Sequence, residues 1–258
     1  MSSTHPGSEQ VHLVCGGKYH DFDFARLELL GLLAEIPQVR TSVAGDWSDI
    51  DSLSSASVLI SYTSDLVPGE NEQDQLEGFL RRGGSWFALH GTNSLLQYTR
   101  GVGWEAPHQA TRFFEMLGSQ FVAHPPIQPY TVRPSCQHPL VEGIEPFTAD
   151  DELYLCRFFG EHTCLLETDF SGETPGFAES DWADNDKVPV MYLHPWETNE
   201  VLYLNLGHAR GHWDMQPLMD YYDTEERGSW KRPEFYELLR RGIQWALNRT
   251  TRAAGFEQ

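Results

Sequence analysis

The chain has 258 residues, 40% of them hydrophobic, which suits one large α/β domain with a sizeable core. Its 38 acidic against 18 basic residues give a formal charge of -20, and such an excess repels phosphate backbones and anionic lipid, so neither nucleic acid nor a membrane is an expected partner. No run approaches the roughly 18 apolar residues of a membrane span.

The N-terminus lacks a charged-then-apolar signal pattern and reads as a short disordered leader over 1–9. A β-rich run at 11–15 is stopped by Gly16 and Gly17, and a polar turn through His20 and Asp21 leads into a helix over 24–33. Phe24, Leu27, Leu30 and Ile36 recur near helical spacing, and Pro37 closes the element. Strands follow at 38–43 and 56–62, then a second helix at 70–82 with Leu76, Phe79 and Leu80 inward and Gly83 as its stop.

The next strand, 86–89, suits burial on both faces and delivers His90 to a sharp turn. Gly91 frees the backbone there, and Thr92, Asn93 and Ser94 offer cap oxygens to a following helix or helical turn. This is the layout of a nucleophile elbow with histidine at the tip. A histidine so placed can act as acid or base, bind a metal, hold a ligand, or only cap a strand end.

Further on, the pattern predicts a helix at 109–117, short strands at 120–123 and 128–132 around a shaped loop at His124-Pro125-Pro126, and strands at 188–193 and 200–204 joined as a hairpin through 195–199. An amphipathic helix over 233–248 closes the domain, which is expected to span 10–250 with a tail at 251–258. The first ninety residues alternate strands and helices as parallel βαβ units do, which sets the loops after Cys15, Ile60 and Leu89 along one sheet edge.

His20, His90 and His208 each directly follow a strand signal and are expected to approach one shared cavity. Three neutral imidazoles there would suit zinc or another divalent metal, although backbone hydrogen bonding explains strand-end histidines equally. His12 reads as a strand histidine, and His5, His108, His162 and His194 as loop residues. In Asp150-Asp151-Glu152-Leu153-Tyr154 an extended chain sets Glu152 and Tyr154 on one face and Asp151 on the other. A carboxylate beside a phenol can orient a sugar hydroxyl or a histidine. Trp47, Trp104, Trp182, Trp196, Trp213, Tyr221, Tyr222 and Trp230 lie near polar loops, where rings can cover the apolar side of a carbohydrate. Cys15, Cys136, Cys156 and Cys164 form no CxxC pair, lie away from the elbow, and read as reduced thiols of a cytoplasmic protein. No Walker loop, Rossmann fingerprint or Ser-His-Asp order appears.

Taken in order, Gly16-Gly17-Lys18-Tyr19-His20-Asp21-Phe22, Ala88-Leu89-His90-Gly91, His138-Pro139-Leu140, Asp151-Glu152-Leu153-Tyr154, Pro189-Val190-Met191-Tyr192 and Val201-Leu202-Tyr203-Leu204-Asn205-Leu206-Gly207-His208 resemble the ThuA-like (trehalose utilisation) family. The resemblance implies an α/β, flavodoxin-like, doubly wound and mostly parallel sheet with helices on both faces, related to class I glutamine amidotransferases, with histidine where those enzymes keep cysteine. The chain departs from the family pattern at Asn199-Glu200 and at Ala209-Arg210-Gly211-His212-Trp213-Asp214.

The site expected from this reading has His90, Glu152 and His20 as catalytic groups, with Glu152 orienting His90, and Gly17, Asp151, Tyr154 and His208 as substrate contacts. His20, His90 and His208 are the candidate metal ligands. His90, as an edge residue, is expected to contribute little to core packing. The function implied is an enzyme, a hydrolase or lyase, acting on trehalose, a related disaccharide or a keto-sugar, without glutaminase activity. A non-catalytic sugar-binding or regulatory domain is the alternative. A small sugar is the expected ligand, and the sequence leaves a homo-oligomer open.

Overall fold

The structure, a computed structural model, describes residues 8–182 and 187–254. The expected leader lies outside the described residues over 1–7, and the expected tail over 255–258.

In chain order the elements are β1 (Glu9–Gly17), α1 (Phe22–Ala34), β2 (Val39–Ala44), α2 (Ile50–Ser55), β3 (Val58–Ser64), α3 (Glu70–Arg81), β4 (Ser85–Leu89), β5 (Gln97–Thr99), β6 (Gly103–Glu105), α4 (Thr111–Leu117) and β7 (Ser119–Ala123). There follow β8 (Gln128–Pro134), β9 (Phe147–Asp151), β10 (Leu155–Phe158), β11 (Thr163–Thr168), β12 (Val188–Trp196), β13 (Asn199–Leu204) and α5 (Pro233–Ala254). One sheet of nine strands runs β2-β1-β3-β4-β13-β12-β11-β8-β9. From β2 to β13 every pairing is parallel, and from β13 to β9 every pairing is antiparallel.

The parallel half has the strand order of a flavodoxin-like doubly wound sheet, whose ligand crevice opens where β1 and β3 send their connections to opposite faces. The expectation of a mostly parallel sheet therefore holds for only part of it. The antiparallel half includes β9 and β11, whose short sequences carry no strong strand pattern.

Alternation along the central strands separates two apolar layers. Leu13, Ile60, Phe87 and Leu202 face Leu29, Leu32, Phe235, Leu238 and Leu239 of α1 and α5. Their neighbours Val14, Leu59, Trp86, Ala88 and Tyr203 face Leu53, Leu76, Phe79, Leu80 and Phe113 of α2, α3 and α4. Every residue of β3 and β4 is buried, which explains their near-continuous apolar sequences. The six-residue α2, capped by Asp49, carries the crossover from β2 to β3 and is too short to show a helical period. The helix α5 runs to Ala254, past the expected end at Asn248 and into the stretch read as tail, and the hairpin between β12 and β13 turns as expected. No helix among the described residues is long and apolar enough to cross a membrane.

Gly242 lets α5 lie directly on the sheet, because a Cβ there would overlap the buried Phe87 ring. We expect Gly242→Ala to destabilise the fold by ~1–3 kcal/mol through overpacking. That loss should exceed the gain of about 1 kcal/mol in helix propensity. A urea titration showing equal or greater stability would refute this packing.

Candidate functional site

Three chain reversals at the carboxyl edge of the parallel half each bring in one histidine. After β1 the chain turns through Tyr19 (φ 70°), and Asp21 caps α1 by accepting from the Phe24 amide, which leaves His20 between strand and helix. After β4, His90 stands at φ 44° and opens a 3-10 turn over His90–Asn93. Gly91 is required behind it, because a Cβ there would lie 2.6 Å from the Thr63 carbonyl oxygen of β3. Thr92 ties the turn to its own strand by donating to the Leu89 carbonyl at 2.9 Å. After β13 the chain passes through Asn205 and Gly207 to His208.

Those side chains and Glu152, which follows β9, meet in one buried cluster whose ligand atoms all lie within 4.8 Å of one another. His20 Nε2 and His90 Nε2 are 2.9 Å apart. Glu152 Oε2 lies 3.6 Å from His20 Nε2, 3.7 Å from His90 Nε2 and 3.2 Å from His208 Nδ1. Arg210 bridges two carboxylates, donating to Glu152 Oε1 at 2.9 Å and to Glu226 Oε2 at 2.8 Å. His208 Nε2 meets the same Glu226 oxygen at 2.7 Å.

The environment drives two histidines apart. Burial pushes His20 down to about 3, whereas at His208 burial is outweighed by the Glu152 charge and the Glu226 hydrogen bond, which push it up to about 9. Burial would raise Glu152, but the charges of His208, His124 and Arg210 hold it well below the ordinary carboxylate range. At neutral pH the cluster holds an anionic Glu152, a neutral His20 and a cationic His208. Burial beside Glu152 keeps the Tyr154 phenol protonated.

Of the expected contacts, Tyr154 packs its ring 4.5 Å from that of His90 and lines a cleft of about 130 Å³ above the cluster. The other aromatic walls of the cleft are Tyr19, Trp104, Phe121, His124 and Phe177. Gly17 sits exposed at the end of β1 at φ 129°, where a Cβ would run into the Ser64 carbonyl, so chain packing requires glycine there. Asp151 has a structural task. Its carboxylate accepts the buried amides of Gly207 at 3.0 Å, His208 at 3.0 Å and Ser229 at 2.8 Å, and so fixes the loop that presents His208.

Glu152 does not orient His90. The Asn205 carbonyl does so, accepting from His90 Nδ1 at 2.8 Å. Nor is His90 a lightly packed edge residue, being fully buried between the rings of Tyr62 and Tyr154. Cys156 is closer to the elbow than expected, with Asn93 Nδ2 at 3.5 Å from its Sγ, but burial pushes its thiol up to about 12. His194, read as a loop residue, is buried in β12 and bonds the carbonyls of Glu161 and Glu115. Of the aromatic residues singled out in the sequence, Trp104 lines the cleft, whereas Trp47 and Trp230 are buried and Trp213 and Tyr221 are exposed.

Sequence reading missed Arg210, Glu226, Asn205 and His124 as site residues. A basic residue two positions after His208 in so acidic a chain was the available signal for Arg210. Glu226 had none, since a bridge between the backbones of Arg210 and Glu226 brings it in from a distant loop.

Asp151→Ala strands three buried amides, each costing ~1–3 kcal/mol, so we expect a loss on the order of 3–5 kcal/mol in a urea titration. A loss below about 1 kcal/mol would show that those amides find other partners.

The profile of the ThuA family, described as trehalose utilisation, matches residues 25–222. No curated protein sequence matches the chain. A solved ThuA-like protein from Parabacteroides merdae shares its fold at 15% identity, with 93% of this chain and 90% of that one covered and a TM-score of 0.66. Another from Bacteroides uniformis gives 16% identity, 95% and 94% coverage and a TM-score of 0.64. The β-galactosidase of Rahnella sp. R3 contains a similar fold within a longer chain, at 11% identity, 92% of this chain, 31% of that one and a TM-score of 0.52. With its profile match spanning most of the sequence, this chain belongs to the ThuA family of trehalose utilisation.

Proposed function

We propose that this protein is a cytoplasmic enzyme of carbohydrate metabolism acting on a disaccharide such as trehalose or on a keto-sugar derived from one, with its chemistry at His90, His20, Glu152 and His208. The observation that carries the reading is the convergence of four buried ionisable groups, with His20 and His208 shifted in opposite directions, beneath an aromatic-walled cleft. Buried charge of this kind opposes folding and is a hallmark of a working site. Tyr154 and Trp104 supply ring surfaces for a sugar face, and Arg210 supplies donors for its oxygens. The family description supports the substrate class.

Proton transfer to or from a sugar oxygen is the chemistry these groups suit. Since the Asn205 carbonyl takes the Nδ1 hydrogen of His90, Nε2 is the ring atom turned toward the cluster. We further read the parallel half as an amidotransferase-like scaffold with His90 at the nucleophile position, supported by the strand order and the positive φ at the tip. Partial burial keeps the Cys156 thiol protonated, so it offers no replacement nucleophile.

His90→Ala and Glu152→Gln should each lower kcat on a disaccharide or keto-disaccharide by ~100- to 10,000-fold, with folding checked by circular dichroism. Saturable sugar binding by the native protein without any product would establish the binding-module reading instead. The native protein should also release no ammonia from glutamine, and release at an enzymatic rate would sink the histidine-for-cysteine assignment.

A further inference from the structure

We propose that the cluster is a binding site for one divalent first-row transition-metal ion, held by His20 Nε2, His90 Nε2, His208 Nδ1 and Glu152 Oε2. This rests on the reading above in taking the cluster as the reactive centre, and it does not depend on the sugar.

The argument begins with the outward-facing ring atoms. His90 Nδ1 lies 2.8 Å from the Asn205 carbonyl, His20 Nδ1 lies 3.3 Å from the Lys18 carbonyl, and His208 Nε2 lies 2.7 Å from the Glu226 carboxylate. Carbonyl and carboxylate oxygens only accept, so each ring spends an N–H outward; in that tautomer His20 and His90 turn a lone pair inward, and His208 does so once an ion displaces the proton it otherwise carries. Metal-bound histidines are oriented by the same kind of outward hydrogen bond.

The inward atoms have mainly one another. His20 Nε2 and His90 Nε2 lie 2.9 Å apart, and with both outward hydrogens in place two lone pairs meet there and repel unless a cation lies between or beside them. His208 Nδ1 is buried with no hydrogen-bond partner, and Glu152 Oε2 stands 3.2 Å from it. Four of the six separations, at 2.9 to 3.7 Å, match a single ion, while the four atoms together span up to 4.8 Å, so the histidines close in by a few tenths of an ångström when an ion binds. Ligand atoms bonded at about 2.0–2.2 Å to one centre stand roughly 3 to 4 Å apart.

The surroundings select the kind of ion. Arg210 occupies Glu152 Oε1 and leaves Oε2 for the centre. Three imidazoles and one carboxylate, with no thiolate among them, suit zinc or divalent manganese, iron, cobalt or nickel rather than a soft monovalent copper. Glu152 and Glu226 against Arg210 leave one negative charge, which a divalent ion turns into one positive charge able to draw a sugar hydroxyl or carbonyl from the cleft. The other cation that would satisfy the His20–His90 pair is a shared proton.

The test uses the full chain stripped with EDTA and titrated with Zn²⁺ and with Co²⁺ in the absence of sugar, followed by calorimetry and by the visible absorption of Co²⁺. We expect one ion per chain and a Co²⁺ spectrum of nitrogen and oxygen ligation. His90→Ala and Glu152→Gln should each weaken binding by at least ~100-fold, and Glu226→Gln, which alters an outer partner, by about 10- to 100-fold. His138→Ala, outside the cluster, should bind as the native protein does. The native Co²⁺ spectrum decides the matter even where a variant fails to fold. No binding of either ion at millimolar concentration, or binding that survives both His90→Ala and Glu152→Gln, would overturn the site and leave the shared proton as the cation. An ion that binds while no sugar is turned over would uphold the site and discard the substrate reading.

Discussion

Burial of the Glu152 carboxylate is the constraint around which the site is organised. An ionised carboxylate in the interior is costly unless charge and hydrogen bonds meet it, and this one is met on several sides by His20, His90, His208 and Arg210. Arg210 in turn pairs with a second carboxylate, Glu226, which also receives His208. These groups come from the reversals after β1, β4, β9 and β13 and from the more distant loop that carries Glu226. The requirement to pair one carboxylate therefore holds together loops that follow β1, β9 and β13.

The two halves of the sheet divide the work. The parallel half sends His20, His90 and His208 to a common edge because parallel strands end on the same side. The antiparallel half supplies Asp151 and Glu152 as adjacent residues with separate tasks. Asp151 binds three amides of the loop that carries His208, and Glu152 faces the histidines. A one-residue change in register at the end of β9 would exchange them. The backbone at His90 adds a further constraint, since a left-handed conformation for a residue with a side chain persists only where its surroundings enforce it. Here Tyr203 donates to the His90 carbonyl and Asn205 holds the ring.

Membership of a family and likeness of fold do not decide what such a site does. The flavodoxin-like order of the parallel half is compatible with several chemistries, and what distinguishes this chain is the set of groups in the elbow region. It has an imidazole at the tip, a protonated thiol nearby and a carboxylate facing three rings.

Much of the parallel half was legible in the sequence. The apolar runs of β1, β3 and β4 and the periodicity of α3 and α5 arise from burial of neighbouring residues on fixed faces, which is a local pattern, whereas α1 buries Ala25, Leu29, Leu32 and Leu33 and leaves Leu27 of the expected row exposed. His20, His90 and His208 stood out for the same reason, each just after such a run, and Glu152 and Tyr154 through their shared face. The tertiary structure alone decided the rest. α2 is too short to show a period, and the antiparallel strands β9 and β11 have weak patterns that only their partners stabilise. Asp151 looked like a ligand contact because its type and place are those of one, and only the positions of three distant amides assign its oxygens elsewhere. Arg210, Glu226 and Asn205 belong to the site because electrostatic and hydrogen-bond partnership depends on which loops meet in space. Separation along the chain carries no trace of that meeting.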